Sequence, residues 1–183
     1  MIPKKFAIHI SGPGCSGKSS LAQEIGERFS GTYSVAYDKL KWQLSGYDRN
    51  GADHQLQRNI INDIEWRLIE YVCEKSVPIT TDVFLHNEEE YRRFKNIAEK
   101  CSYKLIFIGL TAPRDVLLKR FRERVKIAKE KGTRVSLADE NVFMEKFSTK
   151  CFVPPDTPVF DTSVTGVEDV ARKIADMLEG KRT

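Results

Sequence analysis

The chain has 183 residues, a length that usually forms one domain, and its 40% hydrophobic and 31% charged content excludes a disordered or collagen-like protein. Its 30 Lys and Arg against 26 Asp and Glu give a net charge of +4, too small for a surface that coats nucleic acid. No apolar run approaches the roughly 20 residues that span a bilayer, and no signal-peptide pattern is visible, so we expect a cytoplasmic protein without membrane contact.

Short apolar runs alternate with stretches of helical spacing along the chain. The apolar runs are rich in β-branched residues and predict five strands, at residues 6–10, 33–37, 77–85, 103–110 and 158–160. Helical spacing predicts six helices, at residues 18–29, 53–74, 88–100, 113–131, 138–147 and 167–178. This alternation favours right-handed crossovers and a parallel sheet with helices on both faces. We therefore predict an α/β fold of three layers (α/β/α) around a five-stranded, mainly parallel sheet.

A glycine-rich segment, SGPGCSGKSS, follows the first predicted strand directly. It has the spacing Gly12-x4-Gly17-Lys18-Ser19 of a phosphate-binding loop, or P-loop. Its glycines allow successive backbone N–H groups to turn inward around phosphates, and the helix that follows adds its positive N-terminal end. The motif predicts that Lys18 reaches the β and γ phosphates and that the Ser19 hydroxyl binds Mg²⁺. The predicted nucleotide-binding residues are Gly12, Pro13, Gly14, Cys15, Ser16, Gly17, Lys18, Ser19 and Ser20.

A dinucleotide-binding fingerprint overlaps the same residues. Gly12-x-Gly14-x-x-Gly17 matches it, and Asp38 follows Gly17 by 21 residues, near the spacing of a ribose-binding acid. However, Lys18 and Ser19 complete the longer motif, and the chain length leaves little room for a hydride-acceptor domain. We therefore favour a triphosphate ligand over a dinucleotide.

Two acids follow the next predicted strands. In a parallel sheet, Asp38 would lie beside the loop and could accept a proton from an attacking hydroxyl, although it could also simply cap a helix. Asp82 ends the apolar part of the third strand at the position of a Walker-B carboxylate, which orients hydrated Mg²⁺ opposite Ser19. It could instead hydrogen-bond Ser19 or a neighbouring strand end.

A basic segment follows the fourth predicted strand. Residues 114–131 contain eight basic and three acidic side chains, so much of the excess positive charge lies here. Arg120 and Arg124 are four residues apart, so on a helix they share one face and could point at one anionic target. The alternative is a solvated helix surface.

This arrangement resembles the P-loop kinases over nearly the whole chain. That superfamily includes nucleoside monophosphate, shikimate and gluconate kinases and the kinase domain of polynucleotide 5′-hydroxyl kinases. The resemblance implies that Asp38 is the general base, that Lys18 and one or both of Arg120 and Arg124 stabilise the transferring phosphoryl group, and that His86 lines the acceptor site.

Local features are similar to polynucleotide kinases in particular. There an Arg three residues after the base contacts the acceptor; here Lys41 takes that place, and a lysine cannot grip a phosphate with two parallel bonds. The stretch 131–135 and the predicted helix 138–147 resemble the lid of those enzymes, which we place at about residues 120–150.

We thus expect a single P-loop kinase-like domain over residues 1–183. It would use ATP and Mg²⁺ to phosphorylate a hydroxyl of a polynucleotide, a nucleoside or another small acceptor. The alternatives are a nucleotide-operated regulatory ATPase and, less favoured, a dinucleotide-binding module.

Overall fold

Five strands alternate with seven helices in the part of the chain that the computed structural model describes, which is residues 4–48, 51–133, 135, 137–146 and 152–181. The strands are β1 (Phe6–Ser11), β2 (Tyr33–Val35), β3 (Ile79–Thr81), β4 (Lys104–Thr111) and β5 (Val159–Asp161). The helices are α1 (Lys18–Arg28), α2 (Tyr37–Lys41), α3 (His54–Glu74), α4 (Glu88–Lys100), α5 (Arg114–Lys131), α6 (Glu140–Lys146) and α7 (Val167–Glu179).

The strands form one parallel sheet in the order β2-β3-β1-β4-β5. The central strand β1 is buried along its whole length and pairs with β3 on one side and β4 on the other. Because all five strands run the same way, their carboxyl ends meet at one edge, where parallel sheets bind ligands. The loop after β1 therefore emerges between the ends of β3 and β4.

Helices cover both faces of the sheet. Helices α1 and α7 pack on one face, in a core that includes the fully buried Ile25 and Ile174. Helices α3 and α4 pack on the other face, with Trp66 and Phe94 in the core. The predicted three-layer α/β/α fold with a parallel sheet is confirmed.

The helix boundaries follow local capping signals. The side chain of Asn87 accepts a hydrogen bond from the backbone N–H of Glu90 (3.0 Å), and three glutamates occupy the first turn of α4, so this helix begins and ends where the sequence predicted. Helix α5 ends at Gly132, whose φ of 61° is left-handed. None of the described helices is both long and apolar enough to cross a membrane.

Two predicted strands are shorter than expected. The run 77–85 forms a strand only over Ile79–Thr81, and its continuation at Val83 and Leu85 is buried in the core without strand pairing. The run 33–37 pairs only over Tyr33–Val35 and then turns into the unpredicted helix α2. Five residues are too few to show a helical period, so α2 could not be predicted from the sequence.

A buried histidine joins the central strand to the segment after β3. The Nε2 of His9 donates a hydrogen bond to the carbonyl of Val83 (2.8 Å), and its ring lies against Phe94 and Phe107. Since a carbonyl can only accept, Nε2 carries the proton. Burial lowers the pKa of His9 to about 4 from its ordinary 6.5. The neutral ring thus holds the residue next to Asp82 in place.

Replacing this histidine should change how stability depends on pH. An unfolded chain protonates His9 below about pH 6.5, whereas the folded protein does so only near 4. His9 therefore stabilises the fold above pH 6.5, and that contribution, on the order of 3 kcal/mol, is lost as the pH falls towards 4. In His9→Gln the free energy of unfolding, measured by urea denaturation between pH 7.5 and 4.5, should fall less steeply. Parallel curves for the two proteins would contradict this explanation.

Candidate active site

The P-loop makes a tight turn at the end of β1. Gly12 has a φ of 144°, and a Cβ at this position would lie 2.3 Å from the carbonyl oxygen of Leu110 on the neighbouring strand β4. Cys15 and Gly17 also have positive φ, of 65° and 97°. These conformations curl the backbone directly ahead of α1, as a phosphate cradle requires.

Lys18 folds back over this turn. Its Nζ donates hydrogen bonds to the carbonyl oxygens of Gly12 (2.9 Å) and Pro13 (3.0 Å), so the ammonium group lies at the mouth of the loop. Ser19 and Ser20, which follow on the first turn of α1, are exposed. The Ser16 side chain is buried, and its Oγ has no hydrogen-bond partner among the described residues.

Several positively charged side chains lie near Cys15 of the P-loop. Burial raises the pKa of its thiol, while the positive charges of Arg124, Lys18 and Arg120 act in the opposite direction. The net shift is upward, so Cys15 stays a neutral thiol at neutral pH. The loop therefore offers backbone amides and positive charge, the two features that bind phosphate.

Asp82 lies at the end of β3, on the other side of the loop. Burial raises the pKa of its carboxyl; the charge of Lys18 lowers it and that of Asp38 raises it. Its Oδ1 is buried without a hydrogen-bond partner in the described structure. This carboxylate oxygen lacks a partner among the described residues, and the Ser19 hydroxyl is exposed. Mg²⁺ prefers oxygen ligands of these two kinds, so the two residues fit a Mg²⁺ ion.

Asp38 lies in the first turn of α2 rather than at the end of a strand. Its carboxylate is 2.7 Å from the ammonium group of Lys41, and 57% of its side chain remains exposed. Lys41 itself is only 1% exposed and packs on the rings of Trp42 and Tyr47. The predicted role of Lys41 as an acceptor contact therefore has no support in the geometry, which places the lysine beneath Asp38 as its ionic partner.

Arg120 and Arg124 both line the cavity but differ in their hydrogen bonds. Arg120 donates to the side-chain oxygen (2.9 Å) and the carbonyl (2.7 Å) of Thr162, and the Thr162 hydroxyl in turn donates to the carbonyl of Ser16 (3.0 Å). Arg120 thus connects α5 to the P-loop, and this structural use differs from the catalytic role we predicted. The Nε of Arg124 is buried and has no hydrogen-bond partner among the described residues.

Helix α6 packs against α5 and the P-loop. Phe143 stacks on Phe121 with ring centroids 4.2 Å apart, and a Cβ at Gly14 would lie 3.0 Å from the Phe143 ring. Arg122 adds a two-pronged ion pair with Glu140 at the surface. The predicted lid segment therefore contains the end of α5 and all of α6; Arg134 and Phe147, which belong to the lid motifs, lie outside the described residues.

One cavity of about 1270 Å³ brings most of these groups together. Its lining includes the P-loop, both predicted acids and both arginines of α5. His86 also lines it, paired with Glu90 (2.9 Å) and in contact with the ring of Phe84. A second cavity of about 540 Å³ adjoins it between α2 and α5, lined by Asp38, Trp42 and Arg124 among others.

The sequence analysis missed one wall of this cavity. Helix α3 contributes His54, Arg58, Asn62 and Glu65, at spacings of four, four and three residues. Burial, together with the negative charges of Asp82 and Asp38, raises the pKa of Glu65 to about 8. The spacing of these polar residues indicates that they share one face of a helix. Only the tertiary packing shows that this face lines the cavity.

A hydrogen-bonded network closes this wall near α2. The hydroxyl of Tyr37 hydrogen-bonds to both Tyr47 and Arg58. Its pKa is raised to about 12, mainly by burial and in addition by Tyr47. The hydroxyl of Tyr47 lies 3.3 Å from Nε2 of His54. The Tyr37 phenol is therefore an un-ionised hydrogen-bonding group at neutral pH.

Known structures share this fold. A candidate kinase from Chloroflexus aurantiacus aligns with a TM-score of 0.72 at 16% identity, covering 98% of both chains. The APS kinase of Mycobacterium tuberculosis, in complex with AMPPNP and APS, aligns with a TM-score of 0.63 at 12% identity, covering 97% of this chain and 99% of the other. A gluconokinase from Sinorhizobium meliloti aligns with a TM-score of 0.57 at 16% identity, covering 96% and 93%.

Comparison of sequences gives a complementary result. No curated protein matches this chain. The family model described as AAA domain matches residues 8–148, which span the P-loop, both acids and α5. The chain therefore belongs to the AAA domain family, and its fold is similar to those of the solved kinases.

Proposed function

We propose that this protein is a kinase that uses ATP and Mg²⁺ to transfer the γ-phosphoryl group to a hydroxyl of a polynucleotide, a nucleoside or another small acceptor. The observation that carries the proposal is the lining of a single cavity by the P-loop, Asp38, Asp82 and Arg124. A phosphate cradle, a metal-binding acid, a base and a cation are the groups that phosphoryl transfer needs.

The P-loop would hold the triphosphate tail of the nucleotide. Its curled backbone presents N–H groups, and Lys18 already lies across its mouth. A bound phosphate would offer the Lys18 ammonium stronger, charged acceptors than the two carbonyls it contacts. Support for a nucleotide comes also from the structural neighbour with APS kinase activity, which was solved with AMPPNP.

Ser19 and Asp82 would hold the Mg²⁺ ion. When bound, Mg²⁺ neutralises charge on the β and γ phosphates. Asp82 meets the requirement because its Oδ1 is buried and lacks a partner in the described structure. The His9–Val83 hydrogen bond fixes the backbone next to Asp82, which keeps this carboxylate in position.

Asp38 would act as the general base. Its carboxylate accepts the proton of the acceptor hydroxyl while that oxygen forms a bond to the γ phosphorus and the bond from phosphorus to the bridging oxygen breaks, releasing ADP. The ion pair with Lys41 orients the carboxylate from below. The chain thus supplies a positioned base at the open side of the cavity.

Arg124 would stabilise the charge that develops on the transferring group. Its guanidinium lines both cavities, at the boundary between the P-loop and Asp38, and its Nε lacks a partner in the described structure. A preorganised cation in a site screened from water lowers the barrier substantially. Arg120 would support it indirectly by holding α5 against the loop.

A transfer screen tests this function directly. Radiolabelled ATP with Mg²⁺ would be offered with 5′-hydroxyl RNA and DNA, nucleosides and a panel of small hydroxyl compounds. The structural neighbours solved as APS kinase and gluconokinase support the inclusion of small acceptors. Labelled product on any acceptor is the expected result. If label reaches only water, the protein is a regulatory ATPase; if NAD binds and ATP does not, it is a dinucleotide-binding module.

Removing the proposed base should stop transfer but not nucleotide binding. We expect Asp38→Asn to lower kcat by about 10²- to 10⁴-fold, since an amide cannot take up the proton. The Kd for ATP, measured by calorimetry, should stay within about twofold because Asp38 faces the acceptor side.

Two further variants control for folding. Asp63→Asn makes the same chemical change on the exposed surface of α3 and should leave kcat as it is. Because Asp38→Asn removes the ion pair of the buried Lys41, the double variant Asp38→Asn/Lys41→Met removes the lysine charge as well. Full turnover in either Asp38 variant would rule out this base.

The metal site gives a separate prediction. Chelation of Mg²⁺ should abolish transfer, and Asp82→Asn should raise the Mg²⁺ concentration at half-maximal rate by about tenfold or more, because an amide oxygen is a weaker ligand than a carboxylate. The rate is measured against Mg²⁺ at saturating ATP, with Asp63→Asn as the control. An unchanged Mg²⁺ dependence would mean that Asp82 has only a structural role.

A further inference from the structure

The side chains that line the two halves of the cavity differ in charge. Lys18, Arg120 and Arg124 surround the P-loop, and their charges all act on Cys15. Asp38, Glu65 and Asp82 influence one another's ionisation on the opposite side, towards α2 and α3. The nucleotide half is therefore cationic, and the half left for the acceptor is lined by carboxyl groups.

Glu65 is the group in this half that most clearly needs a ligand. The residue is only 2% exposed, yet it lines the cavity, and its Oε1 is buried without a hydrogen-bond partner among the described residues. A buried carboxyl oxygen without a donor is costly, and protein interiors rarely tolerate one. Its charged neighbours Asp82 and Asp38 are acids, and an ionised acid has no proton to donate.

The cations near this wall are engaged with the protein itself. Lys41 is buried and ion-paired with Asp38, and it does not line the cavity. Arg58 does line it, but it hydrogen-bonds Tyr37. A second phosphate or carboxylate on the acceptor would lie beside the carboxyl groups of Asp38 and Asp82, whereas a neutral hydroxyl would give the buried Oε1 of Glu65 a hydrogen-bond partner.

The remaining surfaces suit a ring-shaped molecule with several hydroxyls. Tyr37, Tyr47 and Asn62 offer groups that both donate and accept hydrogen bonds. Phe84 is 40% exposed and presents an apolar ring that can pack against the C–H face of a sugar. Hydroxyl-binding groups beside an aromatic surface are the combination that an uncharged polyol requires.

Building on the proposed kinase function, we propose that the acceptor is an uncharged polyol, either a free sugar or the ribose of a nucleoside, and that Glu65 accepts a hydrogen bond from one of its non-reacting hydroxyls. Asp38 takes the proton of the reacting hydroxyl, and Glu65 fixes the orientation of the ring. Glu65 is thus a specificity-determining residue that touches the substrate without taking part in the chemistry.

An acceptor panel tests the substrate class. Pentoses, hexoses and nucleosides would be compared, each beside its phosphate ester, and beside 5′-hydroxyl oligonucleotides. We expect at least tenfold higher kcat/KM for the uncharged member of each pair, and comparison of sugars with nucleosides identifies the source of the ring. Preference for a phosphate ester or an oligonucleotide would overturn this inference and leave the kinase proposal standing. Label on water alone would overturn the kinase proposal itself.

A deoxy series tests Glu65. With the best acceptor of the panel, removing the hydroxyl that Glu65 binds should lower kcat/KM by about 10- to 100-fold, the usual effect of losing a hydrogen bond to a charged or buried group. Glu65→Leu should show a similar loss with the full acceptor and no further loss with that deoxy analogue. The KM for ATP should not change, because Glu65 belongs to α3 and to the part of the cavity proposed for the acceptor.

Matched variants separate this role from a structural one. Glu65→Gln keeps the size and an accepting oxygen, so it should restore part of the acceptor affinity that Glu65→Leu loses. Glu74→Gln, an exposed position at the end of the same helix, should behave as wild type. If Glu65→Leu retains the wild-type acceptor KM and the full deoxy penalty, the inference is wrong. Should both fail to fold, the deoxy series on the wild type still decides whether a non-reacting hydroxyl is bound.

Discussion

The approach of Gly12 to the carbonyl of Leu110 is the contact on which the site depends. Strands β1 and β4 pair up to Ser11 and Gly109, and a side chain at Gly12 would put a Cβ 2.3 Å from that carbonyl oxygen. Because glycine has no Cβ, the chain can turn sharply here and start α1 within a few residues. The positions of Lys18 and Ser19 follow from that turn.

Cationic and acidic side chains lie in different parts of the cavity, and each part suits a different function. A phosphate cradle must be cationic, and an acid that takes up a proton or binds a metal must be anionic. Here α1 and α5 carry Lys18, Arg120 and Arg124, while α2, the end of β3 and α3 carry Asp38, Asp82 and Glu65. Lys18 lies between them and lowers the pKa of Asp82 against the effect of burial.

Helix α5 contacts both the P-loop region and helix α6. At its inner face Arg120 reaches the P-loop through Thr162, and Phe121 stacks on Phe143 of α6. Both arginines line both cavities, but their surroundings differ, since Arg120 donates hydrogen bonds to Thr162 whereas the Nε of Arg124 has no hydrogen-bond partner among the described residues. Because the Phe143 ring of α6 lies close to Gly14, a change in the position of α6 would alter the packing against the P-loop at Gly14.

Local signals were enough to predict much of this protein from its sequence. The P-loop lies in nine consecutive residues, and α4 carries its own cap in Asn87, so both could be read without knowing the fold. The tertiary structure alone decided that Lys41 is buried under Asp38, that Arg120 and Arg124 differ, and that Glu65 faces the site. The physical reason is that periodicity shows which residues share a helix face, whereas burial, ion pairing and electrostatic coupling depend on what packs opposite that face, and those partners come from distant parts of the chain.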